Sequence, residues 1–155
     1  MRIMAESVKI VAKNRKAYHR YHVLDKVEAG ISLTGTEVKS LREGNVSIAE
    51  AFARPENGEM YILGMRIAEY KSSGYATHDP DRKRKLLLHR KELRKLTDEV
   101  AQRGFSIVPL SIYFKRGYAK VELGLVRGKK MYDKREAIKQ REQERDAARE
   151  RGRRR

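Results

Sequence analysis

Residues 105–126 contain two apolar segments, "FSIVPLSIYF" and "YAKVELGLV", which are joined by only three residues, "KRG". The first segment is apolar at nearly every position, as in a strand that is buried on both faces. The second alternates, with its apolar side chains at Ala119, Val121, Leu123 and Leu125. The two segments predict neighbouring strands, the first of them at the centre of a sheet.

A third strand is predicted after residue 20, followed by a short helix. From Tyr21 to Leu33 the odd positions are apolar except for Asp25, so a long, half-buried strand is expected. The following "TGTEVKSLREG" is typical of a short helix that Thr36 caps and Gly44 ends.

The middle of the chain predicts a hairpin, a loop and a second helix. A hairpin is expected around 55–58, and its second strand should carry Tyr61, Leu63, Met65 and Ile67 on one side. Turn-forming and polar residues make "KSSGYATHDPDRKRK" a predicted exposed loop. In "LLLHRKELRKLTDEVAQRG" the apolar residues recur at helical spacing up to Gly104.

These elements predict a mainly β fold for residues 1–128, namely a small antiparallel Greek-key barrel of the OB kind with added short helices. Periodicity alone does not distinguish this barrel from other small barrels. Residues 1–12 show no clear period and are predicted to form a loosely ordered arm.

The net charge indicates the class of partner. The chain has 37 Lys and Arg residues against 21 Asp and Glu residues, formally +16. Residues 1–128 alone carry 25 basic and 15 acidic residues, so the terminal segment does not account for the excess. Because such a field destabilises a compact chain by self-repulsion, a polyanionic partner is expected, and nucleic acid is the first candidate.

Little in the sequence suggests an enzyme, a cofactor or a metal site. The absence of Cys excludes disulfides, thiolate ligands and a Cys nucleophile. His19 and His22 are the best candidates for a metal or acid–base pair, but on one strand residues three apart point to opposite faces. No apolar run is long enough for a membrane helix and no secretory signal is recognisable, so a cytoplasmic protein is expected.

Residues 129–155 are predicted to form a separate basic tail. Ile138 is the only large aliphatic residue beyond Met131, so the tail cannot bury enough apolar surface to fold alone. Its composition nevertheless favours a helix. In a helix Lys134, Arg141, Arg145 and Arg149 would share a stripe that suits a phosphate surface.

Two features of the body suggest RNA contacts. The run "KNRKAYHRYH" interleaves basic residues, among them Arg15 and Lys16, with Tyr18 and Tyr21, as a surface that holds phosphates and stacks on unpaired bases requires. Glu28 lies mid-strand and has two interpretations. The first, favoured by chemistry alone, is a surface ion pair across strands; the second is an acceptor for a base N–H.

The segments "KNRKAYHRYHV", "EAGISLTGTEVKSLREGN", "RKRKLLLHRKEL" and "VRGKKMYDKRE" together resemble the small protein B family, the SsrA-binding proteins of bacterial trans-translation. The resemblance runs in order over nearly the whole chain from about residue 10. "EAGISLTGTEVKSLR" and "GKKMYDKR" are its most specific parts because they are long and chemically mixed.

The resemblance implies a monomeric OB-like barrel, without catalytic, metal or cofactor residues, that binds the tRNA-like domain of transfer-messenger RNA. The RNA-facing positions implied by the family motifs, with Lys16 added from the basic run, are Asn14, Arg15, Lys16, Tyr21, Glu28, Lys85 and Leu87. Relatives often have Asn where this chain has His89. The resemblance also favours the acceptor interpretation of Glu28, because an acceptor on a basic surface gives discrimination that phosphate contacts lack.

For the tail, the resemblance implies disorder in the free protein and a helix along the mRNA channel of a stalled ribosome. Gly128 is the expected hinge, Tyr132 the expected stacking residue, and Asp133, Lys134 and Arg135 the expected decoding-centre contacts, with Arg141 and Arg145 further along the channel. The implied partners are transfer-messenger RNA, small-subunit ribosomal RNA, and elongation factor Tu with the aminoacylated RNA. The alternative is a general ribosomal-RNA-binding assembly or structural protein with the same charge but without RNA selectivity.

Overall fold

A computed structural model describes residues 8–70, 78–128 and 141–149. The strands are β1 (Val8–Lys13), β2 (Tyr21–Ile31), β3 (Val46–Ser47), β4 (Phe52–Glu56), β5 (Glu59–Leu63), β6 (Arg66–Ile67), β7 (Arg84–Leu87), β8 (Ser106–Lys115) and β9 (Tyr118–Gly128). The helices with defined ends are α1 (Arg15–Arg20), α2 (Gly35–Arg42) and α3 (Arg90–Arg103). Residues 141–149 are also helical.

Six strands close into an antiparallel barrel. The order is β8-β4-β5-β7-β2-β9, and pairing of β9 back onto β8 closes the ring. β1 pairs with β8 outside this ring, while β3 and β6 form a separate two-stranded sheet. The predicted fold class, a mainly β barrel with short helices, is therefore confirmed, and β8 is central because it pairs with β1, β4 and β9.

The predicted hairpins are present, and their turns explain the residues found there. β8 and β9 are joined through Arg116 and Gly117, with φ of 53° and 80°, and β4 and β5 through Asn57 and Gly58, with φ of 50° and 78°. Positive φ at both central residues is the requirement of the type I′ turn, whose twist matches that of the flanking strands. Gly104 likewise ends α3 in the left-handed conformation, as predicted.

The predicted strand from Tyr21 is β2, and a bulge explains why Asp25 interrupts its apolar alternation. Register with β9 shifts between Val23 and Asp25, so the alternation of side chains reverses there. After the shift Val27 and Ala29 pack in the barrel interior. Before it Tyr21 and Val23 pack outside the barrel, in a small cluster beneath α1.

Three predictions made for the first half of the chain are wrong. Residues 8–12 of the predicted arm belong to β1, whose Val11 packs on the core, because one edge of β8 is otherwise uncovered. The second strand of the hairpin, β5, ends at Leu63 and buries Met60 and Ile62, so Met65 and Ile67 do not share a side of that strand with Tyr61 and Leu63. The cap of α2 is Thr34, which forms a capping box with Glu37.

Two further predictions around α1 and β7 are also wrong. His19 lies on α1 and His22 on β2, so the argument that placed both on one strand does not apply. The last two residues of the predicted loop, Arg84 and Lys85, belong to β7, whereas residues 78–83 lie in no helix or strand, as predicted, and residues 71–77 lie outside the described residues. No helix in the described part of the chain is long and apolar enough to cross a membrane.

Candidate RNA-binding surface

The outer face of β2, β9 and β8 carries Glu28 and Tyr21 among the predicted site residues. In the β2–β9 ladder Glu28 lies opposite Glu122 and Gly30 opposite Lys120, and residues directly opposite in an antiparallel pair share a face. Tyr113 of β8 lies opposite Lys120 and so faces the same way. We call this surface the outer face.

Glu28 is the acceptor at the centre of the outer face. Tyr113 donates its hydroxyl hydrogen to Glu28 Oε2, and Lys115 Nζ lies 3.4 Å from each carboxylate oxygen. The Glu28 side chain is 39% exposed, so its carboxylate keeps acceptor capacity toward solvent. The surface ion pair that chemistry alone favoured therefore exists, and its partner is Lys115. Because the carboxylate is still partly exposed, Glu28 can also accept a hydrogen bond from RNA.

These contacts fix which group carries the proton. The hydrogen bond from Tyr113, followed by those from Lys115, lowers the pKa of Glu28 below its ordinary value. Burial, reinforced by the hydrogen bond to Glu28, raises the pKa of Tyr113. At neutral pH Glu28 is therefore a charged acceptor and Tyr113 a neutral donor.

A groove of about 440 Å³ begins at Glu28 and runs toward β7 and the start of α3. We call it the Glu28 groove, and its lining residues include Glu28, Gly30, Glu59, Lys85, Leu87, His89, Glu92 and Lys120. Gly30 lies opposite Leu87 in the β2–β7 pair, and a Cβ at residue 30 would lie 3.2 Å from the Leu87 Cβ. The structure thus brings together Glu28, Lys85 and Leu87.

The groove also contains a cation that the sequence analysis did not select. Lys120 lines it from β9, whereas Lys85 is partly engaged there by Glu59 at 3.5 Å. Lys120 alternates with the apolar residues of its strand, which places it on an outer surface. Only the pairing register puts it beside Gly30 and Glu28, so the sequence pattern could not have assigned it to this groove.

At the other end of the outer face, Asn14 holds α1 in place. Its side chain is buried, accepts a hydrogen bond from Ala17 N at 3.2 Å, and donates to Pro109 O at 2.9 Å and Ile48 O at 3.3 Å. All of its polar atoms are therefore used inside the protein. The structure gives Asn14 a positioning role for α1 where the sequence analysis predicted an RNA-facing side chain.

The cations of α1 are exposed, as the sequence pattern predicted. Arg15 and Lys16 begin the helix, and Lys16 and Arg20 lie 3.5 Å and 3.4 Å from the two carboxylate oxygens of Glu50. Because all three side chains of that cluster are more than half exposed, the pairs are weak and a phosphate can replace the carboxylate.

Tyr21 lies on the outer face but does not line the Glu28 groove. It lines a separate cavity of about 290 Å³ between α1, β4 and the end of α3, together with Arg20, Phe52 and Phe105. Seven residues separate Tyr21 from Glu28 on β2, or about 23 Å at the rise of an extended strand. The two ends of the outer face must therefore contact different parts of any RNA they bind.

A buried ion pair supports the wall of the Glu28 groove. Arg84, from the predicted basic loop, is fully buried and donates to Glu37 of α2, and Arg82 Nη2 lies 2.6 Å from the other Glu37 oxygen. Arg84 is thus not part of an exposed basic cluster, whereas the next residue, Lys85, faces outward into the groove. The pair ties α2 to β7, which carries Lys85 and Leu87.

The pKa of Glu37 reflects this environment. Burial alone would raise it, but hydrogen bonds from Arg82, from the Thr34 backbone and from Arg84 outweigh burial and lower the pKa to about 2. Burial lowers the pKa of Arg84, although Glu37 opposes that change. Both groups are charged at neutral pH, which is the state the geometry requires.

Three of the predicted tail residues, Gly128, Arg141 and Arg145, lie within the described residues. Gly128 is the last residue of β9 and lies opposite Tyr21. Arg141 and Arg145 are exposed on the helical segment 141–149. Tyr132, Asp133, Lys134 and Arg135 lie outside the described residues. Among the residues that are described, no group of three or more His, Cys, Asp or Glu side chains is arranged to hold a metal ion.

Comparison with known proteins identifies the family. A family model described as "SmpB protein" matches residues 11–153. The SsrA-binding protein of Carboxydothermus hydrogenoformans is 53% identical over 142 residues, covering 92% of this chain and 93% of the relative. That of Syntrophobacter fumaroxidans is 49% identical over 151 residues, covering 97% and 94%.

A solved structure agrees with both sequence comparisons. One chain of a structure described as "tmRNA-SmpB: a journey to the center of the bacterial ribosome" is 57% identical and superposes with a TM-score of 0.64, covering 76% of this chain and 83% of that one. The barrel, the order of the motifs and the length of the matches all agree, and the chain belongs to the SmpB family.

Proposed function

We propose that this protein is an RNA-binding adaptor of trans-translation. Its barrel captures the tRNA-like domain of transfer-messenger RNA and delivers that RNA to stalled ribosomes. The support comes from family membership, from relatives named SsrA-binding proteins, and from the similar structure that joins SmpB with tmRNA and the bacterial ribosome.

The observation that carries the proposal is the charged acceptor Glu28, which Tyr113 holds in place at one end of a groove that also contains two lysines. Lys85 and Lys120 flank the Glu28 groove, and Leu87, 52% exposed, supplies an apolar contact for a base or ribose. Cations bind any phosphate backbone, whereas a fixed carboxylate accepts hydrogen bonds only from groups such as base N–H or ribose hydroxyl. The groove is therefore suited to selecting one RNA surface among many.

The tail has a separate role in this proposal. Gly128 acts as the hinge, Tyr132 stacks on a nucleobase, and Asp133, Lys134 and Arg135 contact the decoding centre. Arg141 and Arg145 are exposed on the helical segment 141–149, and their spacing of four residues places them on the same side of a helix, which suits the phosphate walls of an empty mRNA channel. Message in the channel would compete with this segment for the same space.

The remaining assignments complete the proposal. The protein acts as a cytoplasmic monomer, without catalysis or a cofactor, and elongation factor Tu joins it on the aminoacylated RNA. Arg15 and Lys16 hold phosphates beside α1. The exposed carboxylate of Glu50 lies 3.5 Å from the Lys16 amino group and competes with a phosphate for it.

The test is a separation of function. A chain ending at Gly128 is expected to bind the isolated tRNA-like domain with nearly unchanged affinity but to fail in peptide tagging on ribosomes stalled without mRNA. Glu28→Ala is expected to weaken binding to that domain far more than binding to an arbitrary RNA duplex of equal length. Fluorescence anisotropy measures the affinities for the tRNA-like domain and for the duplex. A reconstituted tagging reaction measures peptide tagging on the stalled ribosomes.

Two outcomes would contradict the proposal. A severe loss of RNA capture on truncation would show that the barrel is not the capture domain. An equal effect of Glu28→Ala on both RNAs would leave Glu28 as a surface ion pair and favour the alternative, a general ribosomal-RNA-binding protein.

A further inference from the structure

Helix α3 carries an arrangement of charge that the barrel itself does not explain. Arg90, Lys91, Arg94 and Lys95 are all exposed within its first six residues, and Glu92 is the only acidic residue of the first turn. Cations near a helix N-terminus oppose the helix dipole and each cost about 0.3 to 1 kcal/mol. The acidic residues Asp98 and Glu99 lie in the later turns and not at the N-terminus, where the dipole would favour them.

Contacts within the protein do not offset this cost. The N-cap residue His89 makes no capping hydrogen bond with its side chain. Lys95 pairs with Asp25 at 3.1 Å, but within the described part of the chain Arg90, Lys91 and Arg94 have no ion-pair partner. We call Arg90, Lys91 and Arg94 the α3 cations.

The position of the α3 cations connects them to the Glu28 groove. Leu93, Leu96 and Val100 pack the opposite side of α3 on the core, which fixes the helix with its cations outward. His89 and Glu92, on the same first turn, line the groove. The α3 cations do not line the groove themselves, but Arg90 directly follows the lining residue His89. At 1.5 Å per residue, Arg90 and Arg94 lie about 6 Å apart along the helix axis, so the cations form a row that begins beside the groove.

We propose that the α3 cations bind the phosphate backbone of the RNA whose bases and riboses occupy the Glu28 groove, a proposal that rests on the function proposed above. The chemistry divides between two neighbouring surfaces. Glu28 discriminates, because it is a fixed acceptor, while the α3 cations add sequence-independent affinity as the strand leaves the groove. An RNA backbone supplies the counter-charge that α3 lacks within the protein.

The experiment measures the salt dependence of binding. The full chain and the triple variant Arg90→Gln, Lys91→Gln, Arg94→Gln are titrated with the labelled tRNA-like domain at several salt concentrations. Since each phosphate contact contributes about 0.7 to 0.9 to the slope of log K against log[salt], the triple variant should show a slope shallower by about 2 to 3.

A matched control removes the same charge elsewhere. Arg54→Gln, Arg66→Gln, Arg103→Gln removes three exposed cations that each have a carboxylate partner, one of them at the far end of α3. This control should keep the wild-type slope. Thermal unfolding should show that the α3 variant is at least as stable as wild type, because its cations oppose the dipole.

Three results would overturn the inference. The slope of log K against log[salt] could be unchanged in the α3 variant, or it could be reduced equally in the control. The α3 variant could also bind the tRNA-like domain as wild type does and lose affinity only for purified ribosomes. Failure of the proposed function is recognised separately. In that case the wild-type chain itself would show no preference for the tRNA-like domain over an arbitrary duplex, whatever the slopes.

Discussion

The hydroxyl of Tyr113 donates to the carboxylate of Glu28 across the outer face of the barrel, although 85 residues separate the two in sequence. The bond joins β8 to β2, which do not pair directly and are held in place by β9 between them. It selects one rotamer for Glu28 and leaves the carboxylate charged. The Glu28 groove therefore has its acceptor oriented before RNA arrives.

Tyr113→Phe tests this orientation. The ring remains, but Glu28 loses its shortest hydrogen bond, so affinity for the tRNA-like domain should fall about tenfold, or about 1.4 kcal/mol, with little change for an arbitrary duplex. The effect on unfolding should be small because Glu28 is more than a third exposed. Anisotropy titrations with both RNAs provide the measurement.

Tyr61→Phe is the control, because Tyr61 lines neither the Glu28 groove nor the cavity beside α1, and its ring should keep Lys83 at 4.6 Å. In a Glu28→Gln background Tyr113→Phe should have much less effect on RNA binding. If the two losses simply added, Tyr113 would not act through Glu28.

Asn14→Asp tests the role of the buried asparagine. The remaining acceptor can still cap α1, but a carboxylate oxygen would face the carbonyl oxygens of Pro109 and Ile48, which lose their donor. The free energy of unfolding in urea should fall by about 2 kcal/mol. Asn57→Asp, in an exposed turn at φ 50° where both residues are tolerated, should change it by less than about 0.5 kcal/mol.

Asn14→Ala separates positioning from contact. If Asn14 only positions α1, this variant should lose stability, and its RNA affinity should decline for any RNA that uses α1. Wild-type stability with a selective loss of affinity for the tRNA-like domain would instead mean that Asn14 touches RNA.

The buried pair of Glu37 and Arg84 predicts how stability depends on pH. The pKa of Glu37 is depressed to about 2 from 4.5, so its stabilising contribution is complete above about pH 4.5 and is lost as pH falls through 2. At about 1.4 kcal/mol per pKa unit the total is about 3 kcal/mol. Urea unfolding between pH 6 and 2 should show this loss in the wild type.

Glu37→Gln should flatten that acid limb and lower stability near pH 7 by about 3 kcal/mol, because it leaves Arg84 charged and buried without its partner. Glu50→Gln serves as the control and should change the acid limb far less, because the exposed pairs with Arg20 and Lys16 that lower the pKa of Glu50 are screened by solvent. A Glu37→Gln variant with the wild-type acid limb would assign that limb to other carboxylates.

The tail prediction concerns residues outside the described part of the chain. Asp133→Ala with Lys134→Ala should abolish peptide tagging on stalled ribosomes while leaving affinity for the tRNA-like domain unchanged. The circular dichroism spectrum should also be unchanged, which excludes loss of helix as the reason. Lys129→Ala with Lys130→Ala is a suitable comparison, and an equal defect there would indicate a general need for charge in the tail.

Local sequence patterns predicted the elements in which one physical signal dominates. The hairpin turn within residues 55–58, the end of α3 at Gly104 and the strand β8, buried on both faces, depend on backbone freedom and burial over a few residues. Elements that depend on distant partners were missed. β1 is a strand because it pairs with an edge of β8, and β7 is a strand because it pairs with β2 on one side and β5 on the other.

The same distinction holds within the candidate site. The family motifs selected Glu28, Lys85 and Leu87, which the fold brings into one groove. They did not show that Asn14 is buried, that Arg84 points inward while Lys85 points outward, or that Lys120 joins the groove. Each of these depends on which side of a strand or helix is covered by a segment far away in sequence.

The sequence by itself determined a basic, mainly β chain of the small protein B kind, because net charge, periodicity and long mixed motifs can be read without knowing any contact. Only the tertiary structure decided that Tyr113 orients Glu28, since the pairing register of β9 with both neighbours sets the distance between them. It likewise placed the first turn of α3 beside the Glu28 groove, which His89 and Glu92 line. Register and packing are set by the whole barrel, and no local segment contains them.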